Sequence, residues 1–162
     1  MSLEQPAQKS EVDIVLVALA TPILVGVYQD GKRIETIESY KKTSDILPSI
    51  FQSLMNRYEI KSVYFARGPG SFMSIKLVYI FLKTLHIAKG ITLFGCDGFE
   101  FTNNQPIKAY GSHYFVKEND TISTKKLEGY GAVTFQLPKS IDEIRCSQED
   151  IAPLYILPAV KV

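Results

Sequence analysis

Apolar residues follow different rhythms along this chain, and each change of rhythm marks an element. Asp13-Ile-Val-Leu-Val-Ala-Leu-Ala20 is nearly continuous in apolar residues, the pattern of a strand buried on both faces. Thr21-Pro22 predicts a turn, and Ile23-Leu-Val-Gly-Val-Tyr28 a second strand. Gln29-Asp30-Gly31-Lys32 is a hairpin signal, since Asp-Gly supplies the positive φ of a type I′ turn. Arg33 to Tyr40 alternates polar and apolar residues and predicts a third, more exposed antiparallel strand. From Thr43 to Tyr58 the period lengthens. Ile46, Leu47, Ile50, Phe51, Leu54, Met55 and Tyr58 recur at helical offsets and form one stripe. Thr43 or Ser44 is expected to cap that helix, and Pro48 is tolerated near its first turn.

Lys61 to Ala66 predicts a strand that enters Arg67-Gly68-Pro69-Gly70-Ser71-Phe72, followed by a helix from Phe72 to Lys89. Ser71 stands where an N-cap belongs. Spacing leaves two readings of this loop open. One is an anion cradle at a helix N-terminus, and the other is a tight strand-to-helix connection. The Gly-Lys-Ser/Thr ending of a phosphate loop and the third glycine of a dinucleotide fingerprint are both missing. On the helix, Ile75, Val78, Tyr79, Leu82 and Leu85 form the core face. Lys76 and Lys83 share the other side with Leu77, Ile80, Thr84 and Ile87. A helix apolar on two sides is covered by a partner or by the chain's own C-terminal segment, and both readings stand at this stage. His86 lies on the apolar side and reads as a satisfied core histidine.

Beyond the strand expected at Ile91 to Gly95 the signals weaken. Asp97 to Phe101 reads as a single helical turn. Ile107 to Val116 and Thr121 to Thr124 predict a hairpin around Lys117 to Asp120, and Ala132 to Leu137 a further strand. Ser140 to Arg145 predicts a short helix, and Ile151 to Pro158 is apolar enough to dock on the first domain. The expected organisation is a disordered lead-in over residues 1–10, an α/β lobe over 11–105, and a reduced second part with a docking segment over 106–162.

Composition narrows the function. With 46% hydrophobic residues among 162, a packed core is expected. Lys plus Arg number 18 against 17 for Asp plus Glu, so the broad basic footprint of a nucleic-acid binder is absent. Cys96 and Cys146 read as ordinary thiols of a reducing compartment, with no zinc-type spacing around them. Ile14 to Tyr28 is uncharged but too short to span a bilayer, and acidic residues precede it, so a soluble cytoplasmic protein is expected with no membrane association. Ser71 has no histidine placed to activate it, and His86 and His113 show no metal-ligand spacing. Asp97 is the best carboxylate for a metal, yet it also reads as a turn-forming residue. No catalytic residue, metal or cofactor is therefore assigned.

Ala66-Arg-Gly-Pro-Gly-Ser-Phe-Met73-Ser74-Ile75-Lys76 resembles the signature of the TsaB (YeaZ) family, Gly-Arg-Gly-Pro-Gly-Ser-Phe-Thr-Gly followed by a basic residue. Thr43-Ser-Asp-Ile-Leu-Pro-Ser-Ile50 is similar to the family's first helix, and Ala18-Leu-Ala-Thr21 stands where the family has Asp-Thr-Ala-Thr. Pro153-Leu-Tyr155 is similar to a Pro-x-Tyr near the family's C-terminus. The resemblance implies an actin-like, ribonuclease-H-like lobe ordered as three antiparallel strands, helix, strand, helix, strand. It also implies a non-catalytic subunit that docks a TsaD-type threonylcarbamoyltransferase, together with a TsaE-type ATPase, for N6-threonylcarbamoyladenosine formation at tRNA position 37. Its contact with tRNA would be indirect. The family's docking helices correspond here to the face of Lys76, Leu77, Ile80, Lys83, Thr84 and Ile87, through which a homodimer would also form. Two departures stand out: Ala18 or Leu19 replaces the acidic strand end, and Met73-Ser74 replaces Thr-Gly. These weigh against the alternative, a nucleotide-binding phosphotransferase or ATPase working through residues 67–71. The tail after Ile107 is also too short for a second full lobe.

Overall fold

The computed structural model describes residues 8–131 and 134–156. The start of the expected lead-in, the first two residues of the expected strand at Ala132 to Leu137, and the end of the apolar tail at Leu157 and Pro158 lie outside the described residues. β1 (Ser10–Val17), β2 (Ile23–Gln29) and β3 (Lys32–Ser39) form an antiparallel meander. α1 (Thr43–Arg57) crosses to β4 (Tyr58–Ala66), which lies parallel to β1, and α2 (Phe72–Lys89) crosses to β5 (Thr92–Cys96), parallel to β4. The sheet order is β3-β2-β1-β4-β5. This is the actin-like, ribonuclease-H-like arrangement. Asp30 and Gly31 both take positive φ, 52° and 82°, as the β2–β3 hairpin requires.

The continuous apolar run of β1 follows from its central place. Ile14 and Leu16 face α1 and α2 and pack with Val25, Val27, Leu47, Phe51, Leu54, Phe65, Val78 and Leu82. Val15 and Val17 face the other way, with Leu24, Tyr28, Ala66, Cys96 and Phe101. That second face is covered by Phe135, Leu137, Ile141 and Ile144 from the C-terminal part of the chain. The two helices thus cover one face of the sheet and irregular backbone covers the other.

Tyr28 joins the two parts. Its hydroxyl donates to the Pro138 carbonyl at 2.5 Å, 110 residues away, and burial pushes the phenol up to about 12. The folded state therefore keeps a proton that the unfolded chain releases near pH 10, so stability falls as the pH rises from about 10 towards 12, by about 1–2 kcal/mol. Urea midpoints at pH 9 and pH 11 measure the drop, and Tyr28→Phe should flatten this part of it.

β6 (Ile107–Tyr110), β7 (His113–Glu118) and β8 (Thr121–Lys126) form a second antiparallel sheet, packed through Phe99, Ile107 and Phe115. The single strand expected from Ile107 to Val116 is folded back on itself at Gly111, whose φ of 52° permits the turn. Residues 134–137 form no strand, although the Gln136 amide donates to the Phe101 carbonyl at 2.8 Å. The helix expected at Ser140 to Arg145 is a 3₁₀ turn over Ile141–Glu143. Tyr58 belongs to β4, where its hydroxyl donates to Glu35 at 3.0 Å beside the Arg57–Glu35 ion pair, so the α1 stripe ends one residue earlier than its periodicity predicts.

The expectation of two separate thiols is overturned. Cys96 and Cys146 form a disulfide with Cα atoms 4.4 Å apart. The residues are 50 apart in sequence, and what brings them together is the return of the chain beside β5, where Gly95 and Ser147 exchange backbone bonds of 2.9 Å each.

Candidate protein-interaction surface

Arg67 to Phe72 joins the carboxyl end of β4 to α2, and several of its groups bond within the chain. The Arg67 amide donates to the Cys96 carbonyl at 2.9 Å, and the Gly68 carbonyl accepts from the Gly98 amide at 2.7 Å. Gly68 and Pro69 are buried, while Arg67 and Gly70 are half-buried. Ser71 occupies the N-cap position, but its side chain makes no capping bond, and its carbonyl accepts from the Ile75 amide at 3.1 Å. At α1 the cap falls on Lys42, not Thr43 or Ser44. The Lys42 carbonyl accepts from the Asp45 and Ile46 amides at 3.0 Å, with no side-chain cap.

The glycines have a different task from the one their spacing suggested. A Cβ on Gly68, whose φ is 136°, would run into the Leu154 carbonyl, and one on Gly95 would run into the carbonyl of Asp150. Both positions admit a strap formed by residues 146–156, which crosses the ends of β4 and β5. The strap is fastened by the Leu154 amide to the Arg67 carbonyl at 2.8 Å and by Arg67 Nη1 to the Ala152 carbonyl at 3.1 Å. Gly68→Ala is expected to cost roughly 2 kcal/mol, since it strains the backbone and lifts the strap together. An unfolding titration checks the figure.

Ala18 and Leu19 stand just past the end of β1, where an acidic residue was sought, and Leu19 turns towards the signature loop. Its side chain lies against Gly70 and Gly98, so that a Cβ on either would come within 3.3 or 2.5 Å of a Leu19 methyl. Beside it, a cleft of about 430 Å³ is lined by Ala18 to Thr21, Ile23, Tyr40 to Ser44, Met73, Ser74 and Leu77. Lys41 and Lys42 are its charged residues, and no carboxylate lines it. Asp97 is engaged in local structure. Its carboxylate accepts from the Phe99 amide at 2.9 Å and pairs with Lys117 at 2.6 Å, and that hydrogen bond raises the lysine's pKa above its ordinary value. His86 is on the surface, not in the core, and its Nδ1 donates to the Ile91 carbonyl at 2.7 Å, tying the end of α2 to the next turn. His113 stacks on Tyr110 with ring centroids 4.6 Å apart, and no hydrogen bond joins it to Ser71 among the described residues.

α2 carries the exposed feature. Ile75, Val78, Leu82 and Leu85 are buried as its spacing predicted, while Tyr79 is half-buried. On the opposite side Met73 is 73% exposed, Ile80 52% and Ile87 76%, far from what the sheet could cover. Leu77 and Lys83 are half-buried along this face, and Lys76 and Thr84 are exposed. The Thr84 hydroxyl donates back to the Ile80 carbonyl at 2.8 Å, which leaves its methyl in the stripe. Among the described residues, the C-terminal strap reaches the first turn, where Tyr155 meets Phe72 edge-on at 4.9 Å. Among the described residues, nothing in the chain covers Ile80 or Ile87. α2 has no Asp or Glu, and Lys76, Lys83 and Lys89 have no ion-pair partner among the described residues. Sequence reasoning missed Met73 and Tyr155 as parts of this surface. Met73 stood out as a departure from a signature, and Tyr155 is brought to α2 only by the strap.

The chain is therefore an α/β protein of the actin-like fold with an apolar helix face that is exposed among the described residues and a second sheet of three strands. Two solved structures from Pseudomonas aeruginosa share that fold. One is YeaZ, with a TM-score of 0.55, 12% sequence identity, and an alignment covering 79% of this chain and 65% of that one. The other is described as an uncharacterized protein with similarity to peptidase YEAZ, with a TM-score of 0.54, 12% identity, and coverage of 79% and 64%. The chain thus spans just under two thirds of the length of either structure. No protein-family model and no curated protein matches the sequence. No helix among the described residues is long and apolar enough to cross a membrane.

Proposed function

We propose that this chain is an accessory subunit that docks, through the exposed face of α2, a TsaD-type threonylcarbamoyltransferase, with a TsaE-type ATPase joining them, in tRNA threonylcarbamoyladenosine synthesis. The observation that carries the reading is the stripe of exposed Met73, Ile80 and Ile87 and half-buried Leu77 on a helix whose other side is already buried. Burying such side chains fully is worth about 1.5–3 kcal/mol each, which the isolated chain forgoes. The YeaZ-like fold and the signature at Arg67 to Phe72 support the family reading. The flanking Lys76, Lys83 and Lys89 favour a partner with carboxylates around its own apolar patch over a second copy of this chain, in which lysines would oppose lysines.

The accessory role is supported by Leu19 closing against the signature loop and by the engagement of Asp97 with Phe99 and Lys117. The cleft at Lys41 and Lys42 offers cations for an anion, but no carboxylate to hold a divalent ion for phosphoryl transfer. Co-expression with a TsaD-type subunit, followed by size-exclusion chromatography, tests the reading. A stable one-to-one complex is expected. Two separate peaks at micromolar concentration would contradict it.

A further inference from the structure

The strap and the disulfide have no part in the reading above, yet they end at the same surface. Beyond Cys146, the strap pairs with Gly95, packs Ile151 against the helix-side core, passes over Gly68 and delivers Tyr155 onto Phe72. Phe72, Met73, Lys76 and Tyr155 there line an open, mostly apolar pocket of about 410 Å³, and Met73 belongs also to the exposed face of α2. Phe72 is 46% exposed and Tyr155 42%, so two aromatic rings are presented with half their surface still free. Aromatic pockets of this kind take the anchor side chains of protein interfaces.

We propose that Tyr155, carried on the disulfide-latched strap, completes an anchor pocket at the N-terminal end of the docking face, so that partner affinity follows the redox state of Cys96 and Cys146. This deepens the docking role proposed above and rests on it. The occupant is one large apolar side chain of the partner, with a carboxylate nearby to meet Lys76. The strap has no helix or strand of its own across residues 147–156, and three backbone hydrogen bonds, one bond from the Arg67 side chain and a few apolar contacts hold it. The disulfide is its only covalent attachment to the sheet. Cys96 is 1% exposed and Cys146 only partly covered, so a dithiol reductant attacks the Cys146 sulfur. The attacking thiolate forms a mixed disulfide with Cys146, and Cys96 leaves as a thiolate that takes up a proton. The reductant's second thiol then closes its own disulfide and frees Cys146 as a thiol, two electrons and two protons having passed to the protein. With the latch open, the strap is held by Ile151 and by its hydrogen bonds to Gly95 and Arg67, and when it lifts from Gly68, Tyr155 goes with it.

Two readouts test this with the full chain, oxidised or reduced by dithiothreitol. In NMR spectra, cross-relaxation between the Phe72 and Tyr155 rings should be present in the oxidised protein. It should be lost on reduction, with the Tyr155 ring signals moving towards free-tyrosine positions while the core signals stay dispersed. In titrations with the TsaD-type subunit, reduction should weaken binding about tenfold. Cys146→Ser should show the weaker affinity with or without dithiothreitol, and Tyr155→Ala should abolish the difference between the two states. Unchanged Tyr155 signals on reduction would overturn the latch, and equal affinities would overturn its control of docking. If the subunit binds neither form, the docking role fails and the affinity claim with it, while the NMR comparison still decides whether the bond latches the strap.

Discussion

Reduction of the Cys96–Cys146 bond is expected to lower the free energy of unfolding by about 4 kcal/mol, because it releases a closed loop of some 50 residues in the unfolded chain. Few single changes to this molecule should cost as much, set against the roughly 5–15 kcal/mol that holds an ordinary domain together. The loop runs from β5 through the whole second sheet and back, so the bond joins the regular half of the protein to its irregular half. Urea titrations of oxidised and dithiothreitol-treated protein measure the effect. The midpoint should fall sharply on reduction, and Cys146→Ser should match the reduced wild type. Equal midpoints would mean that the irregular half is held by its packing alone.

The second large effect concerns α2. Ile80→Glu should weaken binding of the TsaD-type partner by about 100-fold or more, since a carboxylate would be buried in the middle of an apolar contact with no cation of the partner placed to meet it. Ile80 is 52% exposed and its side chain faces away from the buried Val78 and Leu82, so the substitution leaves the core untouched. Thermal stability should change little. That separation between binding and folding is what makes the position informative. Lys83→Glu, on the same face, should weaken the complex less and act more strongly at low salt, as expected for a charge at the rim of an interface.

The leading half of the fold was legible because its elements obey simple periods. β1 is apolar throughout since it is central and covered on both sides, and the Asp30-Gly31 pair fixes the first hairpin. α1 and the core face of α2 followed from offsets of three and four. The second half resisted for a physical reason. Its segments are short and are held by contacts distant in sequence, as Tyr28 with Pro138, Phe101 with Gln136 and Cys96 with Cys146 show. No local pattern records such pairings. Gly111 did mark a turn inside the expected strand from Ile107 to Val116, and its flanking Tyr110 and Ser112 made that signal readable.

The candidate surface was legible in part. The lysines and isoleucines on the outer side of α2 could be placed from the helical wheel, but whether the tail covered them could not. Among the described residues the strap meets α2 at Phe72 and leaves Ile80 and Ile87 exposed. The signature loop shows the reverse case. Its glycines were readable as special positions, but their neighbours are distant in sequence: Leu154 closes on Gly68 and Leu19 on Gly70.

Calorimetric titration of a purified TsaD-type subunit with the oxidised wild-type chain and with Ile80→Glu tests the central claim most directly. The wild type should bind with one-to-one stoichiometry, and the variant, with an unchanged melting temperature, should show no heat of binding at the same concentrations. A folded Ile80→Glu protein that binds as tightly as the wild type would contradict the assignment of this face.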